Sequence, residues 1–389
     1  MKVMLVAAEA SGDALGAGLA SAIKARNPGI AMIGIGGPRM AEQGIVSPFD
    51  IAELSVLGWL EGLRAYGRVK ARVADTVAMA VRERPDAVVL IDSWGFTIRV
   101  AKAIRAALPN VKLVKYVGPQ VWASRPGRAK TLAAAVDHLL ALYAFDAPWF
   151  EAEGLPTTVV GSQALHIDMG GADPAAFRAA RGIAPEAPLL LILPGSRPGE
   201  IRLMTPVYEA AAARLKAERP DLQIAVVAAG TVAADVTARV AAWPFRAHLV
   251  TEADKYAAMK AATVALATSG TVSTELALAG VPMVIGYRFA PVSYAIMKPF
   301  FTGKYATLFN HAADAEIARE LIQTDATPDR FAAELARLLD DPTARADQSA
   351  RQTAALDRMG REGRDPSEIA AETVLSLLDG ASASPRTGS

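Results

Sequence analysis

The chain of 389 residues contains no cysteine, which excludes a disulfide framework and a thiolate nucleophile and fits a reducing compartment. It also lacks a surplus of charge. Its 41 Lys and Arg face 40 Asp and Glu, a net +1, so no basic field exists to hold a nucleic-acid backbone, and nucleic acid is not an expected partner. Long apolar runs are missing as well. Glu275 interrupts the run from Ala261 to Tyr287, and Glu9 and Asp13 follow the apolar residues 1–8, so nothing reaches the ~18 clean residues of a membrane span. Residues 1–8 read as a first strand rather than a leader core, and the protein is expected to be soluble or peripheral to a membrane. No loop ending in Gly-Lys-Ser/Thr occurs, which argues against an ATPase. No Asp-x-Asp pair stands at a strand end to bridge a diphosphate through a metal. The four histidines have no partners at metal-ligand spacing, so neither a metal nor a cofactor is expected.

What is present is a rhythm. Short runs rich in Val, Ile and Leu alternate with longer alanine-rich segments of helical character, the pattern of βα units feeding a buried parallel sheet. Expected strands cover 2–8, 31–36, 86–92, 112–117, 138–144 and 157–161, then 189–194, 223–229, 248–251, 264–268 and 282–287. The Gly/Pro-bearing stretch 168–188 reads as a linker, and from Pro328 onward the pattern is helical only. The length suits two units. The expected fold is therefore α/β, two doubly wound parallel-sheet domains over 1–167 and 168–340. Helices in 341–380 are expected to pack back on the first domain, before a disordered tail, 381–389.

Open parallel sheets bind ligands outside the carboxyl ends of their strands, so the strand-end loops hold the candidate chemistry. In the second half, Leu193-Pro194-Gly195-Ser196-Arg197 precedes a helix that opens with Glu200. Gly195 lets the backbone approach a ligand, Ser196 either caps the helix or donates to phosphate, and Arg197 offers a fork suited to phosphate oxygens. Ser269, Gly270 and Thr271 open a later helix whose amides face the same edge, with Glu275 one turn in, placed to accept ribose hydroxyls or simply to favour a helix start. Together these loops suggest a nucleotide-diphosphate site. In the first half, Glu9-Ala-Ser11-Gly12-Asp13 and Gly34-Ile-Gly-Gly37 follow strands one and two, and Asp92 ends a third. Asp92 either takes a proton from an attacking hydroxyl or caps the helix near Thr97. The loop Val117 to Arg128 gathers Gln120, Trp122, Arg125 and Arg128, with the guanidiniums placed for an acceptor phosphate or for a solvated helix start.

Seven segments, Glu9–Asp13, Gly34–Gly37 with Met40, Leu54–Gly58, Tyr116–Arg128, Leu193–Arg197 with Glu200 and Ile201, Ser269–Thr271 with Glu275, and Pro282–Tyr287, resemble in their order the motifs of the lipid-A-disaccharide synthases, inverting glycosyltransferases of the two-domain GT-B fold. The resemblance covers nearly the whole chain. It implies two domains facing a cleft. It implies a UDP-2,3-diacylglucosamine donor joined through a β-1,6 bond to 2,3-diacylglucosamine 1-phosphate (lipid X), with release of UDP, in lipid A and lipopolysaccharide biosynthesis. On that reading Asp92 is the general base, Arg197 sits beside the diphosphate and Asn310 lies near the donor. Glu9, Ser11, Gly12, Asp13, Gln120, Trp122 and Arg125 fall to the acceptor side. The family also implies attachment to the cytoplasmic face of the inner membrane and homodimers made by exchanging C-terminal segments. The chain departs from the family pattern at Trp94-Gly95-Phe96-Thr97, at Ser124, and at Ser162-Gln163. Two rivals share parts of the pattern: a UDP-sugar epimerase on the same fold, disfavoured by the scarcity of motif histidines, and a non-catalytic lipid- or nucleotide-sugar-binding paralogue, against which Asp92, Arg197 and Glu275 speak.

One further segment bears on acylated substrates. Val56, Trp59, Leu60 and Leu63 follow i, i+3, i+4, i+7 spacing, with Arg64, Arg68 and Arg72 recurring every four residues and Lys70 nearby. This predicts either a membrane-docking amphipathic helix or a core-facing helix with a solvated basic side.

Overall fold

A computed structural model describes residues 1–54, 62–291, 294–295, 298–361 and 363–382. The chain divides into two compact units, Met1–Ser162 with Glu362–Ser389, and Gln163–Arg361.

In the first unit the runs of Val, Ile and Leu form β1 (Lys2–Ala7), β2 (Ala31–Ile35), β3 (Ala87–Ile91), β4 (Lys112–Tyr116), β5 (His138–Ala141) and β6 (Thr157–Val159). All pair in parallel in the order β2-β1-β3-β4-β5-β6. The connections are α1 (Ala10–Arg26), α2 (Pro38–Glu42), α3 (Gly62–Glu83), α4 (Trp94–Ala107), α5 (Arg128–Ala133) and α6 (Ala147–Glu151). Both faces of the sheet are covered, which is why β1 and β3 tolerate unbroken apolar sequence. Met4, Val6, Val88 and Leu90 enter one core, and Val3, Leu5, Val89 and Ile91 the other. Each fully buried Val, Leu or Ile is worth about 1.5–3 kcal/mol, so these alternating positions fix the register.

The second unit repeats the architecture with β7 (Leu189–Leu193), β8 (Gln223–Val227), β9 (His248–Val250), β10 (Val264–Thr268), β11 (Met283–Tyr287) and β12 (Arg319–Ile322), ordered β12-β11-β10-β7-β8-β9 and again all parallel. Its helices include α7 (Pro174–Ala180), α8 (Pro198–Glu218), α9 (Ala233–Ala241), α10 (Lys255–Ala261) and α11 (Thr271–Leu278). Asp173 caps α7 by accepting from the amides of Ala175 and Ala176, and Asp341 caps the helix Pro342–Arg358 through those of Thr343 and Ala344; each such cap contributes about 1 kcal/mol.

Three features differ from the sequence expectation. The boundary falls after Ser162 rather than after 167, because the turn Gln163–Leu165 packs on α11. The helix Pro342–Arg358 stays with the second unit instead of returning to the first. There Gln348 donates to the Met283 carbonyl at 2.8 Å and Ser349 to that of Gly280 at 2.9 Å. The last helix, Pro366–Ser382, does pack on α1, adding Ala370, Ala371, Val374 and Leu378 to the core around Leu19 and Ile23. It carries helical structure to Ser382; the remainder of the expected tail lies outside the described residues.

Candidate active site

Each sheet reverses its winding once. In the first unit β1 lies between β2 and β3, so the turns after β1 and β3 splay apart at a topological switch point; in the second the reversal falls between β7 and β10. Crevices at such points receive ligands in open α/β sheets. The two switch points carry the Glu9–Asp13 and Asp92 turns in one unit and the Gly195–Arg197 and Ser269–Thr271 turns in the other.

In the first unit the turn after β3 is strained. Asp92 has φ +48° and Ser93 φ +42°, and Val117 at the end of neighbouring β4 has φ +72°. Left-handed backbone at residues other than glycine costs about 1–3 kcal/mol each and persists where surrounding contacts enforce it. The contacts are present. The Asp92 amide donates to the Tyr116 carbonyl at 2.8 Å, and the Asp92 carbonyl accepts from the Thr97 hydroxyl at 2.8 Å and from the Lys115 ammonium. The carboxylate accepts from the Ser11 hydroxyl at 3.2 Å. Glu9 stands close by. Burial, and after it the Asp92 charge, raises its pKa, partly offset by the amide and hydroxyl of Ser93 and by Lys115. Two carboxylates at a strand-end crevice, one tending to hold its proton, form an arrangement able to move a proton at an acceptor hydroxyl.

Other residues expected on the acceptor side have different partners. Asp13 is 3% exposed, and its carboxylate accepts from the amides of Gly37 at 2.7 Å, Arg39 at 3.0 Å and Met40 at 3.0 Å. It ties the first turn to the start of α2 and so supports the crevice from behind instead of binding a ligand. A Cβ at Gly37 would lie 2.7 Å from that carboxylate, which explains the glycine. Gly12 is buried behind the β1 turn, where an added Cβ would meet Ala7 at 3.3 Å. Trp122 is buried, not displayed: its indole donates to Asp146 at 3.0 Å and its ring meets Phe145 edge-on at 5.6 Å. Burial pushes Asp146 up to about 6. Gln120 and Arg125 are exposed, the latter at φ +53°. The Arg128 guanidinium lies 5.4 Å over the Trp94 ring; burial, and next the charge of Arg125, lowers its pKa.

In the second unit a cavity of about 240 Å³ is lined by residues that include Gly195, Arg197, Lys255, Ser269, Thr271 and Glu275. Gly195 has φ +122°, and a Cβ there would meet the Glu200 side chain at 2.6 Å. Glu200 itself is buried, accepting from the amides of Ser196 at 3.0 Å and Arg197 at 3.3 Å and pairing with the Arg197 guanidinium at 3.1 Å. It also lines the cavity, and its oxygens shape the loop that presents Arg197. Ser196 and Thr271 are exposed at the rim. The first-turn amides of α11 have no intrahelical acceptors and carry the positive end of the helix dipole. Glu275 is largely buried in the wall. Its buried Oε2 has the Lys255 ammonium at 3.1 Å but no aligned hydrogen-bond donor, and its Oε1 accepts from the same ammonium at 3.4 Å. Burial works to lower the Lys255 pKa, but the pairing with Glu252 and Glu275 outweighs it and raises the value.

Asn310 does not reach this cavity as expected. It is fully buried, its amide donating to the Ala318 carbonyl and to Glu320 at 2.8 Å each, and its oxygen accepting from the amides of Ile317 and Ala318. Glu320 in turn accepts from the amides of Ala306 and Thr307, and the Ala306 carbonyl accepts from Ser269. Asn310 thus braces the segment that rests on the Ser269 turn. Sequence reading missed Lys255 and Lys115. Lys115 had a legible sign, a lysine on the inward phase of an apolar strand; Lys255 had none. Of the membrane stripe, Val56, Trp59 and Leu60 lie outside the described residues, as does the side chain of Leu63.

The sequence model of the family Lipid-A-disaccharide synthetase matches residues 3–374. A lipid-A-disaccharide synthase of Rhodospirillum centenum is 43% identical over 97% of this chain and 94% of its own length, and one of Paramagnetospirillum magneticum is 40% identical over 97% and 98%. Among solved structures, the S. aureus MnaA–UDP co-structure superposes with a TM-score of 0.65 at 14% identity over 100% of both chains. The UDP-GlcNAc 2-epimerase of Neisseria meningitidis bound to UDP-GlcNAc gives 0.60 at 12% over 98% of this chain and 100% of that one. At such identities the structures establish the two-domain GT-B-like fold alone. The family match and the two synthases, spanning the strained Asp92 turn and the Arg197 and Glu275 cavity alike, establish more: the chain belongs to the lipid-A-disaccharide synthetase family.

Proposed function

We propose that this enzyme transfers the sugar of UDP-2,3-diacylglucosamine to 2,3-diacylglucosamine 1-phosphate and releases UDP. The acceptor 6-hydroxyl oxygen attacks the anomeric carbon of the donor. A new β-1,6 C–O bond forms as the bond from that carbon to the diphosphate breaks, with inversion. The electron pair leaves with UDP, and the hydroxyl proton passes to the Asp92 carboxylate. Ser11, hydrogen-bonded to that carboxylate, orients it. The observation that carries this assignment is the strained left-handed turn that holds Asp92 at the mouth of β3 beside Glu9.

On the donor side Arg197, Lys255 and the first amides of α11 stabilise charge developing on the leaving diphosphate, and Glu275 accepts the ribose hydroxyls. On the acceptor side Arg125 and Arg128 raise each other's electrostatic cost, a penalty that a phosphate between them would relieve. Docking on the cytoplasmic face of the inner membrane through the segment around Trp59, and homodimer formation, belong to the same proposal. Among the described residues no helix is long and apolar enough to cross a membrane. The test is incubation with both lipids in detergent for wild type and D92N, followed by mass spectrometry. A disaccharide 1-phosphate from wild type alone supports the reading, whereas equal product from D92N removes Asp92 from the chemistry.

A further inference from the structure

Among the described residues no Lys or Arg other than Lys115 is buried, and Lys115 is 2% exposed. Its place follows from the strand Lys-Leu-Val-Lys-Tyr, where alternation sets Leu113 and Lys115 on one face. Burial depresses its pKa to about 7, and the charges acting on it, Asp92 from the β3 turn and Glu9 from the β1 turn, only partly resist that. From α4 it faces the neutral hydroxyl of Thr97. An apolar residue of the same length would suit this position better on stability grounds, so the buried lysine costs stability that its hydrogen bonds only partly offset.

The geometry shows what it holds. The Lys115 ammonium donates to the Asp92 carbonyl and to Thr97 Oγ1 at 2.9 Å, and the one Thr97 hydroxyl proton is shared between the same carbonyl at 2.8 Å and that of Ser93 at 3.1 Å. The main chain of the left-handed turn is thereby gripped from the strand and from the helix, while the carboxylate is left to face the crevice. Thr97 belongs to the stretch where the chain departs from the family pattern.

We propose that Lys115 is a positioning residue for glycosyl transfer: it clamps the Asp92 main chain so that the carboxylate meets the acceptor hydroxyl. This rests on the reading of Asp92 as the general base. Misplacing a reacting group by ~1 Å costs on the order of 10²-fold in rate, which sets the expected scale.

The experiment compares full-length K115M, K115R and D92N by steady-state kinetics, UDP calorimetry and thermal unfolding. K115M is expected to lower kcat by about 10²-fold, with donor KM and UDP affinity unchanged and Tm equal to or above wild type. K115R, which restores a cation and its donors, is expected to recover part of kcat. A wild-type kcat in K115M overturns the proposal, and so does a lost kcat accompanied by a lower Tm and a raised donor KM, the pattern of a purely structural residue. If K115M does not fold, the near-isosteric T97V tests the same clamp from α4: kcat should fall at constant donor KM, and an unchanged kcat contradicts the clamp. D92N impaired with K115M intact rejects the Lys115 role alone, whereas D92N fully active rejects the base assignment beneath it.

Discussion

At Asp92 the backbone conformation and the hydrogen-bond inventory make one demand together. Three main-chain and side-chain donors or acceptors secure its peptide groups, yet among the described residues the carboxylate accepts from the Ser11 hydroxyl alone. D92N preserves shape and removes the proton acceptor, so kcat should fall by ~10²-fold or more while calorimetric UDP affinity stays at the wild-type value; lost UDP affinity would contradict the role. Gly195 offers a second test. Alanine there faces both φ +122° and contact with Glu200, so G195A should lose more than about 1 kcal/mol of stability and weaken UDP binding; a wild-type melting curve would contradict this account of the loop. Lys115 gives a pH dependence. Its folded pKa of about 7 lies below the ordinary lysine value of 10.5, so the native state resists protonation that the unfolded chain accepts. Its contribution is most favourable above the unfolded pKa and is lost as pH falls through about 7. Wild type should therefore gain Tm relative to K115M as pH rises from about 7 toward 10, and parallel curves would contradict a buried amine.

The helix α3 shows both what a sequence period reveals and what it hides. Val69, Val73 and Val77 pack against the core and Thr76 is buried, the arrangement of a core-facing amphipathic helix over this stretch. Arg72, expected in a basic stripe, instead bonds Glu53 at 2.6 Å and Asp75 at 2.8 Å and lies over the Phe49 ring; Arg68 and Lys70 remain exposed. The proposed membrane contact would then rest on the residues ahead of these turns, which lie outside the described ones. W59S with L63S should release the protein from anionic liposomes in flotation with Tm nearly unchanged, and a large drop in Tm with liposome binding intact would move those residues into the core. The central strands were legible because unbroken apolar runs such as Leu189–Leu193 and Ala87–Ile91 have no other place than a sheet covered on both faces, and the short edge strands β6 and β9 by their place in the alternation. The twelfth, Arg-Glu-Leu-Ile at 319–322, was not, since two apolar residues carry no period. Its strand character comes from parallel pairing with β11 at the sheet edge.

In the molecule as a whole, two open sheets each present one switch point, and the strand-end loops that a sequence reader would search are the loops found there. The loops could be read locally; their partners could not. Lys115 meets Asp92 across 23 residues and Lys255 meets Glu275 across 20, separations that only the sheet order closes. The same logic explains why Asn310 and Asp13, polar residues in motifs, brace backbone: each is buried and hydrogen-bonded to several main-chain groups elsewhere along the chain. If Arg197 and the α11 amides carry the diphosphate as proposed, activity should persist in excess EDTA; recovery only on adding magnesium would show that a metal carries it. The most direct measurement follows purified protein with UDP-2,3-diacylglucosamine and 2,3-diacylglucosamine 1-phosphate by mass spectrometry. One disaccharide 1-phosphate is expected for each UDP released, and release of UDP with only free or epimerised sugar, or no turnover at all, would contradict the proposed transfer.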